Sequence, residues 1–150
     1  MKKHLILLII PLLFFSIGCE KDNDISGCTD PDATNYQNLA NVNDNSCLYE
    51  SDILLYWFED WAVHAQQNFG NNASFNVWID GVLVGAASNA IVNNYIPDCG
   101  TIALIETTVD LGYLKQKDIV IEYQFNSTII ASQTVTMFAN ECHKVEIEQF

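Results

Sequence analysis

The side chains best equipped for chemistry in this chain are five cysteines, three histidines and nineteen carboxylates. Four cysteines, Cys28, Cys47, Cys99 and Cys142, lie far apart and form no Cys-x-x-Cys pair, so in an exported chain they suit two disulfides better than a zinc or redox centre. Three pairings are open to four thiols. Joining Cys28 to Cys47 and Cys99 to Cys142 is preferred, because each bond then staples one compositional region. By loop-closure entropy these bonds would stabilise by roughly 3 and 4 kcal/mol. A bonded Cys142 offers no thiolate to its neighbour His143. His64 is the remaining histidine beyond His4, and no Gly-x-Ser-x-Gly, His-Glu-x-x-His or phosphate-cradling loop is present. Glu59 and Asp60 are adjacent acids, which on a strand would point to opposite faces. No enzyme is expected. A hydrolase whose site assembles from distant residues is the third-ranked reading.

Binding chemistry has two candidates. Asp30, Asp32, Asn35 and Asp44 crowd oxygen atoms into a short turn-rich stretch, and a calcium ion takes roughly six to eight such oxygens. The same side chains also close Asx-turns on their own backbone, and no EF-hand spacing with a terminal glutamate accompanies them. The second candidate is an aromatic platform for sugar rings, drawn from Trp57, Trp61 and Trp78. Alternation places Trp78 opposite Phe75, Val77 and Ile79, although a tryptophan is more often covered than exposed. Nucleic acid is excluded as a partner: the net charge is −13, all six cations are lysine, and the arginine fork that reads guanine is missing.

The N-terminus has the three parts of a secretory signal: Lys2 and Lys3, an apolar run from Leu5 to Phe15, and small residues before Cys19. Leu5 to Ile17 is shorter than the roughly 20 residues that span a bilayer, and Pro11 interrupts it. Ser16-Ile17-Gly18-Cys19 resembles the lipobox of bacterial lipoproteins, departing from it where Ser16 replaces the usual leucine. The resemblance implies cleavage before Cys19 and a lipid on its thiol, which also accounts for the odd cysteine. Residues 19–26 are polar apart from Ile25 and read as a flexible tether. Cys19-Glu20-Lys21-Asp22-Asn23-Asp24 is similar to the signal that follows the lipidated cysteine in surface lipoproteins of the Bacteroidota. That similarity implies display on the outer membrane, facing outward.

Residues 27–50 form a separate texture. Asp30-Pro31 pre-sets a turn, Asn and Asp recur, and one disulfide would substitute for a core too small to fold alone. Gly27-Cys28-Thr29-Asp30-Pro31-Asp32-Ala33-Thr34-Asn35-Tyr36, with Asp44-Asn45-Ser46-Cys47-Leu48-Tyr49, resembles a short repeat of surface proteins in the same bacterial group. Asn45 stands where that pattern has glycine. The repeat implies no enzyme activity.

Residues 51–150 read as an all-β domain, an antiparallel β-sandwich preceded by the disulfide-stapled, turn-rich module. Phe75, Val77 and Ile79 alternate with polar neighbours, and Asp80-Gly81 before Val82-Leu83-Val84 is a hairpin signal. Ile119, Ile121, Tyr123 and Phe125 share one face, and Asn126-Ser127 can turn the chain. Ile129, Ala131, Val135 and Met137 then face one way, while Thr128, Ser132, Thr134 and Thr136 face the other. Val145 and Ile147 make a last alternating strand, and Ile102 to Val109 another. Ile53 to Asn68 fits either a helix with Leu54, Trp57, Phe58, Trp61 and Ala65 on one face, or a strand; a strand from Ile53 to Phe58 followed by a loop is preferred. Val77 to Gly85, with Pro97-Asp98-Cys99-Gly100 and the late Cys142 strand, resembles small immunoglobulin-like or PEGA-like sandwiches of surface lipoproteins.

The expected protein is thus a lipid-anchored surface lipoprotein that displays a fold for adhesion or ligand binding, with a glycan as candidate ligand. The alternative is a structural component of an envelope protein assembly.

Overall fold

The computed structural model describes residues 23–100 and 105–148. Cys19, the leader 1–18 and tether residues 19–22 lie outside the described residues.

The N-terminal module is almost without regular structure. Two short strands, β1 (Ser26–Gly27) and β2 (Val42–Asn43), pair in parallel, and Cys28 is bonded to Cys47. Asn35 substitutes for a missing ladder: its Nδ2 donates to the Ser46 carbonyl at 2.7 Å and its Oδ1 accepts the Leu48 amide at 2.8 Å. Such side-chain bonds to backbone are what Asn offers where a sheet cannot form. The module meets the rest of the chain without a linker, because β3 (Tyr49–Tyr56) begins inside the 27–50 segment. Cys28, Ala33, Cys47 and Tyr49 belong to the same buried cluster as Ile53 and Leu55 of that strand.

β3 is the centre of a three-stranded sheet in the order β6-β3-β9, between β6 (Ile105–Gly112) and β9 (Cys142–Glu146). Its pairing with β6 is antiparallel and with β9 parallel, a departure from a purely antiparallel domain. The burial pattern explains why the parallel pair is tolerated. Ile53, Leu54, Leu55 and Tyr56 are all buried, the unbroken apolar run of a strand covered on both faces. β6 extends from Ile105 to Gly112, so the strand expected over Ile102–Val109 runs three residues past its expected end; residues 101–104 lie outside the described set.

The loop expected after Phe58 is a helix, α1 (Glu59–Phe69). Trp61, Ala62 and Ala65 are buried on its inner face, and Phe69 packs against the core from the last turn. The apolar run before it is continuous and so fits either period, and tertiary packing of this face decides between them. Glu59 and Asp60 therefore lie in the first helical turn, where negative charge suits the helix dipole, rather than on a strand. Gly70, at φ 91°, ends the helix while its amide bonds the Gln66 carbonyl at 3.0 Å.

The second sheet has the order β5-β4-β7-β8, formed by β4 (Ser74–Ile79), β5 (Val82–Ser88), β7 (Gln116–Phe125) and β8 (Thr128–Phe138). Both hairpins turn where the sequence indicates. Asp80 and Gly81 have φ of 47° and 79°, and Asn126 and Ser127 have 48° and 66°, the left-handed pair that a tight two-residue hairpin requires. Phe75, Val77, Ile79, Ile119, Ile121 and Tyr123 face inward and join the inward residues of the first sheet in one apolar cluster. The described fold is all-β but for α1, and its two larger sheets share a core. The alternation in β8 fails at its start. The register shifts opposite Tyr123/Gln124, so Ile130 packs on the core and Ile129 is turned out, 53% exposed. The Cys99–Cys142 bond ties the 89–100 loop to the first residue of β9.

Candidate functional site

The outward face of the β5-β4-β7-β8 sheet collects the polar halves of the alternating strands. From β4 it takes Ser74, Asn76 and Trp78, and from β7 Val120, Glu122 and Gln124. Register puts Trp78 directly across from Glu122, and Glu122 across from Ser132 of β8. One row thus carries an indole, a carboxylate and a hydroxyl. The adjacent position pairs Asn76 with Gln124, and the Gln124 Nε2 reaches the Glu122 Oε2 at 3.5 Å. Cross-strand partners of this kind have Cβ atoms about 5 Å apart, so the groups act on one small area.

Trp78 is half-buried, lodged between Glu122 and, on the other side, Leu83 at a register irregularity after Val77. Its Nε1 is buried without a hydrogen-bond partner in the protein. A buried unpaired donor costs about 1–3 kcal/mol, which phenylalanine or leucine at this position would avoid. The chemistry available on this face is an aromatic ring beside a carboxylate and two amides, groups that can meet the C–H and hydroxyl faces of a polar ring. Glu122, Gln124 and Asn76 are absent from the residues singled out by sequence. Their alternation was visible, but nothing local says which strand lies beside Trp78.

The other two tryptophans are core residues. Trp57 donates its Nε1 to the Ile91 carbonyl at 2.6 Å, and Trp61, whose Nε1 is likewise buried without a partner, packs between Trp57 and Phe75 at 5.2 Å from each ring. Position on the outward face, rather than the unpaired N–H, therefore sets Trp78 apart. The histidines have fastening contacts as well. His143 accepts the Phe138 amide on its Nε2 at 3.0 Å, and His64 lies on α1 beside Asn68.

The calcium candidates are placed with other partners. Asp30 and Asp32 converge on the ammonium of Lys115, at 2.6 and 3.1 Å, and Asp30 also accepts the Tyr49 hydroxyl at 2.8 Å. Asp44 accepts the Ser46 amide at 3.0 Å, closing an Asx-turn, and Asn35 is occupied by Ser46 and Leu48. Asp30, Asp32 and Asp44 do not gather as a three-carboxylate group among the described residues. The Lys115 ammonium against Asp30 and Asp32 clasps the module to the turn between β6 and β7. Lys115 and then Tyr49 hold the Asp30 carboxyl below its ordinary range, and Asp30 and then Asp32 raise the Lys115 ammonium. The carboxylate's contribution is therefore complete above pH 3.8 and is lost as pH falls below it. The ammonium's contribution is complete below pH 10.5 and is lost above it. Lys115 is half exposed and Asp30 mostly covered, so solvent screens the clasp in part and it orients the module more than it stabilises it.

Cys99 and Cys142 lie with Glu106 close enough to ligate a metal, but the two sulfurs are bonded to each other, and Glu106 accepts the Gly100 amide at 2.7 Å. Comparison of the chain with protein-family models, curated proteins and solved structures finds no match.

Proposed function

We propose that this protein is a lipid-anchored lipoprotein of the outer membrane, facing the exterior, that binds carbohydrate without catalysis. The observation that carries the binding half is the Trp78–Glu122–Ser132 row on the solvent face of a four-stranded sheet. The anchoring half rests on the sequence Ser16-Ile17-Gly18-Cys19 behind an apolar run. A lipid-modified cysteine bearing more than one acyl chain holds a protein on a bilayer without a spanning helix. Among the described residues no helix is long and apolar enough to cross a membrane. Nucleic acid has no place in this reading, given the net charge of −13.

A glycan array probed with the full chain is expected to give sugar-dependent signal. Trp78→Ala should weaken it about tenfold, the equivalent of one lost aromatic stack, with the melting temperature little changed. An array without signal, or a Trp78→Ala variant that binds as the parent does, would remove the carbohydrate reading. The anchor is tested separately. Cys19→Ser should move the protein from the membrane pellet to the soluble or leader-retained fraction and abolish labelling by a clickable fatty acid. A variant that still incorporates the label would place the lipid elsewhere.

A further inference from the structure

The four edge strands of the two sheets are not alike. β5 has seven residues, with Gly85 and a register irregularity beside it; β6 carries Glu106 and Asp110; β9 has five residues, including Lys144 and Glu146. These are the usual means by which an edge is kept from pairing with another chain: shortness, charge and bulges. β8 has eleven residues, Thr128 to Phe138, and none is charged, in a chain of net charge −13. One irregularity, at Ile130, lies near its start, and from Ala131 to Phe138 the ladder with β7 is regular. Among the described residues, no main-chain bond outside the β7 ladder joins Ile129–Met137 to another backbone group, whereas the Phe138 amide is taken by His143 Nε2 at 3.0 Å, so the open edge ends at Met137.

The direction of the free groups follows from the other side of β7. Asp80 donates its amide to the Val120 carbonyl at 2.9 Å, and the Val120 amide donates to the Asp80 Oδ1 at 2.9 Å. Both main-chain groups of Val120 thus turn away from its β8 partner, Thr134. In an antiparallel ladder this makes Val120–Thr134 a non-hydrogen-bonded pair, so the N–H and C=O of Thr134 point to the open edge. Those of Ser132 and Thr136 do the same by the strand's period of two.

We propose that β8 is a self-association edge, pairing antiparallel with β8 of a second copy about a two-fold axis at Gln133. The second copy is the occupant because the strand is self-complementary in that arrangement. Ser132 meets Thr134 of the other copy twice, in hydrogen-bonded pairs, and Ala131 meets Val135 on the inner face. Each side chain then meets one from the same face, so both apolar layers continue across the axis. Charge disfavours the β6 and β9 edges, which carry acids, and length and the register irregularity set β8 apart from the equally uncharged β5.

Sedimentation velocity of the full chain in density-matched detergent tests this. The expected result is twice the single-chain protein mass at concentrations up to about 100 µM. Thr134→Pro removes an amide that points outward and breaks no bond to β7, so it should leave the fold intact and weaken association at least tenfold. Thr134→Lys, a charge at the same place, should do likewise and carries the test if the proline variant does not fold. A parent chain that remains single throughout that range overturns the proposal, as do folded variants that still associate as the parent does. A chain that stays single but captures an uncharged extended peptide would reassign the edge to a different partner.

Discussion

Phe75→Ala should lower the stability of the fold by about 3–5 kcal/mol, the range for deleting a fully buried aromatic ring. Phe75 is entirely buried in β4, and its ring lies 5.2 Å from Trp61, 5.4 Å from Phe69 and 5.5 Å from Phe125. The first two belong to α1 and the third to β7, so one side chain joins the helix to the second sheet. The rings around it come from different elements and cannot all close on the vacated volume, which puts the cost at the upper part of that range. Urea unfolding followed by tryptophan fluorescence would measure it. A loss below about 1.5 kcal/mol would mean that α1 is not seated on this sheet as described.

The parts of the fold that were legible are those decided within a few residues. Asp80-Gly81 and Asn126-Ser127 specify their turns through left-handed φ, and the alternation of Phe75 to Ile79 and Ile119 to Phe125 specifies which face is buried. What was not legible depended on distant partners. The run Ile53 to Asn68 fits a helix or a strand to Phe58 followed by a loop, and the part after Phe58 is helical because Trp61, Ala62 and Ala65 have a sheet to pack on. The outward turn of Ile129 follows from a register shift against β7, which no pattern within β8 announces. The same limit applies to the sites. The oxygen-rich loop at Asp30 and Asp32 is visible in the sequence, but the Lys115 ammonium that lies against it, 83 residues beyond Asp32, is not. Trp78 was visible as an outward aromatic, but Glu122 became its neighbour only through the pairing of β4 with β7. β3 and β9 could not have been matched by pattern either, since a parallel pair requires a long crossover rather than a turn.

Removing the Cys28–Cys47 bond with paired alanines should cost about 3 kcal/mol from the loop it closes, and more from packing, because both sulfurs lie in the common core. The loss should fall unevenly. The module's own ladder is two residues long on each side, and the Lys115 clasp and the Asn35 bonds lie at or near the surface, where each contributes little. No ladder joins the second sheet to the module. Hydrogen exchange is therefore expected to open the amides of Thr34, Gln37 and Leu48, which bond Leu48, Cys28 and Asn35, while β4 and β7 keep their protection. β3 is the discriminating element, since Tyr49 is both the last residue packed on the cystine cluster and the first paired with β6. Faster exchange at its N-terminal end alone would show the module yielding as a unit on a standing sheet. If all of β3, β4 and β7 opened together, the cystine would be part of the nucleus that holds both sheets, and the module could no longer be regarded as an appendage.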